Sequence, residues 1–317
     1  MKIVPYSDVW LQEIEKRDPS EAQALSYNKD VFMDTAIVAE EDGTLLSWGY
    51  LSRGTLNYGT FGIYAEFGIN GDEEKALEGT VSVLESLKAS FQRIKKKEPY
   101  RDFKCALTIW TPPEREDYID FIREMGFKPD EKMVILKKHL DQNETGTEAE
   151  IESSGQGPEE SLERRVLKGF ENEKTAVFKE LDMTDPQVRK KYFLSNGKGF
   201  GYPDSEDGML FRMEHWKARV YAFVTEDESG EVDEVLAAVT VWPRRNHAYA
   251  TEDIFCIPEY RRQHLTTDLL RRVLSLLKKK GAASAGMNAY LRNKEALSLY
   301  EKMGYQQDGI LESYIIE

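Results

Sequence analysis

Apolar positions along the chain switch repeatedly between alternating and helical periods. In the first half, Asp34–Ala39 and Thr44–Tyr50 read as strands, with Glu41-Asp42-Gly43 as the turn between them. Thr60–Ile69 is a further strand. Ala76–Lys97 carries Leu77, Val81, Leu84, Leu87 and Phe91 at helical spacing. Phe103–Trp110 predicts a strand and Glu114–Met125 a helix stopped by Gly126. In the second half, Thr175–Leu181 predicts a strand, and Asp185-Pro186 opens a helix running through Lys191. Ser195–Met209 predicts a glycine-rich loop. Arg219–Thr225 and Val235–Trp242 are strands joined by the acidic turn 226–231, and Tyr249–Cys256 is the strand that follows. Leu265–Lys280 is amphipathic, with Leu265, Leu269, Val273, Leu276 and Leu277 on one face. Lys278-Lys279-Lys280-Gly281 suits a helix C-terminus. Ser284–Leu291 and Gly309–Glu317 are the last strands.

The halves repeat each other weakly. Phe121–Phe127 aligns with Leu299–Tyr305, and the strand–helix–strand–helix order before each is the same. Between them, residues 141–160 are polar and acidic, with Ile151 as the one aliphatic residue beyond alanine. Such a stretch buries too little apolar area to offset its ordering entropy. The predicted organisation is therefore a domain at 1–140, an acidic flexible linker at 141–163 and a second domain at 164–317. Charge follows these borders. The net charge of −14 divides into −6, −8 and 0.

The stretch 252–305 carries the chemistry. A strand ends at Cys256, and Pro258 and Arg261 follow. Arg261-Arg262-Gln263-His264-Leu265-Thr266 then leads into a helix, whose N-terminal N–H groups suit a phosphate. Downstream stand Asn293, Ala296, Leu299, Tyr300, Gly304 and Tyr305. Both spacings resemble the acyl-CoA-binding core of the GNAT N-acetyltransferase family, whose second signature is Asn-x-x-Ala-x-x-Leu-Tyr-x-x-x-Gly-Phe/Tyr. His264 and Thr266 stand where that family has small residues.

The resemblance implies a mixed α/β fold of two tandem GNAT-like domains, the first a degenerate copy. There Ile122 replaces Tyr300, Arg115 replaces Asn293, and the phosphate turn would be Asn70–Glu74, whose carboxylates repel phosphate. It also implies an acyltransferase that moves an acetyl group from acetyl-CoA to a primary amine by direct attack, with no metal. Ile254, Phe255 and Cys256 would line the pantetheine arm, the Cys256 N–H meeting the thioester oxygen. Arg261 to Thr267, including Gln263, Leu265 and Thr267, would hold the pyrophosphate. Tyr300 would be the general acid, since a phenol stays protonated until a thiolate forms beside it. Asn293 would cap its helix and touch the cofactor arm. Glu252 is the candidate base. Strand alternation would put its side chain on the Cys256 face and Asp253 on the other. Asn288, five residues before Asn293, cannot serve as a base. Phe200, Tyr202, Trp216, Tyr221 and Trp242 are core residues or an acceptor wall, with Tyr202 and Trp242 the best wall candidates. The rival expectation is a CoA-binding or interaction protein without catalysis.

Composition narrows the partners. An acidic chain without a basic face argues against nucleic acid. No apolar run reaches membrane-spanning length. The N-terminus lacks the apolar core of a signal peptide. Cys105 and Cys256 both sit in apolar strand segments, which suits a reducing cytoplasm rather than a disulfide framework or metal site. The acceptor would be a small-molecule or peptide amine.

Overall fold

A computed structural model describes residues 1–27, 31–57, 59–71, 74–140, 164–167, 174–201 and 206–317. The acidic linker at 141–163 lies outside the described residues. The chain divides into two compact units, Met1–Lys132 with Leu311–Glu317, and Met133–Ile310.

Unit 1 contains β1 (Lys2–Pro5), α1 (Asp8–Arg17), α2 (Pro19–Tyr27), β2 (Val31–Glu41), β3 (Thr44–Asn57) and β4 (Thr60–Ile69). Then come α3 (Glu74–Ile94), β5 (Lys104–Thr111), α4 (Glu116–Glu124) and the start of β6 (Lys128–His139). Strands β1 to β5 lie in sequence order, all antiparallel except the β4/β5 pair. The next strand is the end of β13 (Gln306–Ile316), where Glu312–Ile316 runs antiparallel to Thr111–Leu107. The closing strand predicted at Gly309–Glu317 therefore forms, and its end completes the sheet of unit 1. On α3 the buried face is Ala76, Thr80, Val83, Leu84, Leu87, Phe91 and Ile94. Leu77 and Val81 are 46% and 38% exposed, so two of the predicted core positions fall outside it.

Unit 2 begins with Met133–His139 of β6 and continues through β7 (Arg164–Leu167), β8 (Lys174–Leu181), α5 (Pro186–Phe200) and α6 (Glu206–His215). β9 (Arg219–Glu226), β10 (Val232–Pro243), β11 (Ala248–Cys256), α7 (Leu265–Lys279), β12 (Ser284–Tyr290) and α8 (Lys294–Lys302) follow. Its strand order is β6-β12-β11-β10-β9-β8-β7, with β11/β12 the parallel pair. The run β8-α5-α6-β9-β10-β11-α7-β12-α8-β13 repeats β1-α1-α2-β2-β3-β4-α3-β5-α4-β6 element for element. The tandem α/β arrangement read from the sequence is thus observed.

The predicted loop at Ser195–Met209 is largely helical. α5 runs on to Phe200 because its face buries Val188, Tyr192, Ser195 and Asn196 despite two glycines, and it stops at left-handed Gly201. Asp185 caps its N-terminus by accepting from the Gln187 N–H at 2.7 Å. α7 buries Leu265, Leu269, Leu270, Val273, Leu274 and Leu277. Each such leucine contributes about 1.5–3 kcal/mol through burial. Gly281, at φ +81, ends the helix with Ala282 N–H donating to the Leu277 carbonyl. Among the described residues no helix is long and apolar enough to cross a membrane.

Candidate functional site

The β11/β12 ladder is short. Ala248, Ala250 and Tyr249 pair with Ser284, Gly286 and Ala285, and the pairing stops there. Beyond Ala250 the two strands part, leaving a slot edged by Thr251–Cys256. Ile257 N–H donates to the Leu236 carbonyl on β10 at 2.9 Å. Alternation then turns the Cys256 N–H to the other side of the strand, into the slot. The Cys256 carbonyl accepts from Arg261 Nε at 3.3 Å. Burial pushes the Cys256 thiol up to about 11, so it stays protonated.

β11 also carries a bulge. Ala238 lies opposite Phe255 but Thr240 lies opposite Glu252, so β11 has one extra residue in between. Asp253 there has φ +50, a left-handed conformation that aspartate tolerates better than most residues. Directly opposed residues share a face. Glu252, Thr240, Ala238 and Phe255 are therefore on one face, and Cys256, opposite Ala237, is on the other. The expectation that Glu252 and Cys256 share a face is corrected, because the bulge shifts the parity. Phe255 packs in the core, its ring 5.7 Å from Tyr192 and 5.8 Å from Phe200. Ile254 is half-buried against the same core.

Glu252 is held by Arg244, which donates at 2.9 Å. Burial raises its pKa, while Arg244 and Arg212 pull it back down. Arg212 of α6 also approaches Asp253 at 3.5 Å. These two arginines were not legible beforehand. Arg212 sits on a helix whose start, to Met209, the sequence reads as loop, and Arg244 follows a strand end.

The turn into α7 keeps a glycine-like backbone without glycine. Arg262 and His264 have φ +62 and +59. His264 sits at the helix N-cap and makes no side-chain cap. The first intrahelical acceptor is the His264 carbonyl, bonded by Asp268 N–H at 3.1 Å, so the N–H groups of Leu265, Thr266 and Thr267 point out of the helix end. Arg261 is exposed and also reaches the Gly199 carbonyl at 3.4 Å. Gln263 completes the turn. A groove of about 640 Å³ adjoins it between α7 and α8, lined by His264, Thr267, Arg271, Lys294, Leu299 and Lys302 among others. Arg271, Lys294 and Lys302 outnumber the single carboxylate, Glu295, and make it suited to phosphate.

Asn293 caps α8, accepting from Ala296 N–H at 3.2 Å. Tyr300 is buried, and burial pushes its phenol up to about 12. Its ring lies 6.1 Å from Tyr305. The Tyr305 hydroxyl meets Thr251 Oγ1 at 3.1 Å, and that hydroxyl also donates to the Gly286 carbonyl at the last ladder pair. Thr251 and Tyr305 thus brace the point where the slot opens. Tyr221 and Trp242 are buried, the Trp216 ring lies tilted 5.6 Å from that of Trp242, and Phe200 is 46% exposed. Tyr202 lies outside the described residues, as do Asp72 and Glu73 of the first-half turn. Ile122 is fully buried where Tyr300 stands in unit 2. Among the described residues no group of three or more His, Cys, Asp and Glu could hold a metal.

The sequence model of the Acetyltransferase (GNAT) family matches residues 188–305. No curated protein matches the chain significantly. Solved structures do at the level of fold. A tandem GNAT protein from the clavulanic acid biosynthesis pathway aligns at 11% identity and a TM-score of 0.60, over 100% of this chain and 98% of its own. A GCN5-related N-acetyltransferase from Sphaerobacter thermophilus aligns at 11% identity and 0.56, over 89% and 80%. A GNAT-family acetyltransferase from Colwellia psychrerythraea aligns at 7% identity and 0.54, over the whole of both chains. The chain has the tandem GNAT fold, and over residues 188–305 it is similar to the GNAT acetyltransferase family.

Proposed function

We propose that unit 2 transfers the acetyl group of acetyl-CoA to a primary amine of a small molecule or peptide by direct attack. The observation that carries this is the open edge of β11, with the Cys256 N–H directed into a slot braced at its apex by Thr251 and Tyr305, whose ring lies 6.1 Å from that of the buried Tyr300. Acetyl-CoA, when bound, supplies the activated acyl carbon as a thioester.

The chain's own groups fit that ligand. The outward N–H groups of Leu265, Thr266 and Thr267, at the positive end of α7, suit a pyrophosphate. Arg261, Arg262 and the cations of the α7/α8 groove add charge of the right sign. Backbone groups at Ile254–Cys256 offer an extended arm the hydrogen bonds that β12 no longer makes. The Cys256 N–H is placed to stabilise developing negative charge on a carbonyl oxygen, a contribution of about 2.7–4 kcal/mol for such donors. Tyr300 holds its proton until a stronger base forms beside it. Glu252 accepts a proton from the amine, directly or through water. Asn293 orients α8 by capping it.

Unit 1 is in this reading a non-catalytic copy, since Ile122 brings no proton where Tyr300 would. A second reading, CoA binding without turnover, is favoured by the ion pair that occupies Glu252 and by the side chains in the phosphate turn. The experiment is a thiol-release assay with acetyl-CoA against a broad amine panel. Turnover that depends on Tyr300 supports acyl transfer. Tight acetyl-CoA binding with no turnover on any amine supports the second reading.

A further inference from the structure

Unit 1 holds a half-buried carboxylate pair, Glu21 and Glu66, that makes no ion pair among the described residues. Glu66 on β4 lies directly opposite Tyr50 on β3. The Tyr50 hydroxyl faces Glu21 of α2, whose Oε2 is buried without a hydrogen-bond partner. The charges acting on Glu66 are those of Glu21 and Asp18, all negative. Burial with these like charges pushes Glu66 up to about 7 and Glu21 above the usual carboxylate range.

A separate observation points to a ligand. Trp48 is 2% exposed, and its Nε1 is buried without a hydrogen-bond partner. It lies opposite Gly68, where an added Cβ would stand 2.4 Å from Cε2, the carbon bearing Nε1. Gly68 is two residues from Glu66 and shares its face. Trp48 and Glu66 are thus diagonal neighbours on one face of the β3/β4 pair. A buried donor left unpaired costs about 1–3 kcal/mol. On the far side, the Tyr118 phenol feels the Glu66 charge, and its ring stacks 5.2 Å from Phe67. Arg115 sits over the Tyr118 ring at 5.1 Å.

Glu66 also has a meaningful address. The parallel β4/β5 ladder ends at Tyr64↔Thr108, two residues before Glu66, as the β11/β12 ladder ends two residues before Glu252. It stands where a strand edge opens.

We infer that unit 1 binds a small organic ammonium ion bearing an acceptor oxygen, an amino alcohol, between Glu21, Glu66 and the Trp48 indole. The ammonium donates to the carboxylates, and the oxygen accepts from the indole N–H. Two carboxylates are too few to hold a metal, and among the described residues no larger ligand group exists. This site is independent of acyl transfer in unit 2.

The test is titration of the full chain with ethanolamine at about pH 8, above the Glu66 value near 7. Saturable binding is expected, with a shift of the Trp48 indole N–H resonance and weaker binding of propylamine, which lacks the oxygen. Glu66→Gln removes an uncompensated charge and so folds, as circular dichroism will show, yet it binds ethanolamine at least ~10-fold more weakly, about 1.4 kcal/mol. Absence of heat with an unmoved indole resonance overturns the inference. So does unchanged binding by folded Glu66→Gln.

Discussion

Glu252 and Cys256 are four residues apart on one strand and face opposite sides of the sheet. The extra residue at left-handed Asp253 makes the difference. It moves the carboxylate to the side of Tyr192 and Arg212 and keeps the Cys256 N–H at the slot. A base at Glu252 would give kcat/KM a rising limb above the usual carboxylate range, because burial raises its pKa. Arg244 holds that pKa down, so Arg244→Gln should move the limb to higher pH. A pH profile of kcat/KM in both proteins checks this, and a limb that stays put assigns the base elsewhere.

Tyr300→Phe should lower kcat by roughly 100-fold, the lower end for loss of a positioned acid, with acetyl-CoA affinity unchanged. Its phenol, pushed up to about 12, stays protonated across the working range. Single-turnover kinetics with calorimetry separates the two effects. Equal loss of binding would make Tyr300 a packing residue.

The turn into α7 stores backbone strain. His264 at φ +59 pays a left-handed cost that glycine avoids. His264→Gly should raise stability by about 0.5–1 kcal/mol, after the unfolded-state entropy glycine adds. Asn293→Ala should lower it by about 1 kcal/mol through loss of the α8 cap. Urea unfolding measures both, and a destabilised His264→Gly would show that the imidazole is needed for packing.

Glu66 should shape the pH dependence of stability. Folded, it holds its proton up to about 7, whereas unfolded it releases it in the ordinary carboxylate range. The folded state then binds more protons between those values, so this group's contribution to stability falls as pH rises through that window. It levels off above it. Glu66→Gln should flatten the decline and be the more stable protein at pH 8. Thermal unfolding across pH reads this, and parallel curves for the two proteins would contradict it.

The elements between 252 and 305 are more legible in the sequence than those around them. Leu265–Lys279 and Asn293–Tyr305 were legible because a strong apolar stripe and a cap sit at fixed spacing. The helix opening at Pro186 is legible only as far as Lys191, because Gly197 and Gly199 mimic a loop while Tyr192 and Asn196 bury the face that carries it on to Phe200. α1 escaped notice because much of its apolar content is spent outside the core, Val9 being 78% exposed. β6 hid between lysines that bracket its apolar Met133–Leu136 run. The bulge left no mark in strand periodicity, since one inserted residue preserves the apolar run and changes only its parity. Arg212 and Arg244 converge on Glu252 by tertiary placement, which spacing along the chain does not encode.

The most direct test is calorimetric titration of acetyl-CoA into the full chain and into Thr266→Glu, which sets a carboxylate at the mouth of the α7 turn. The account predicts one saturable site per chain in the native protein and its loss in the variant. Two sites, no site, or equal binding by Thr266→Glu would contradict it.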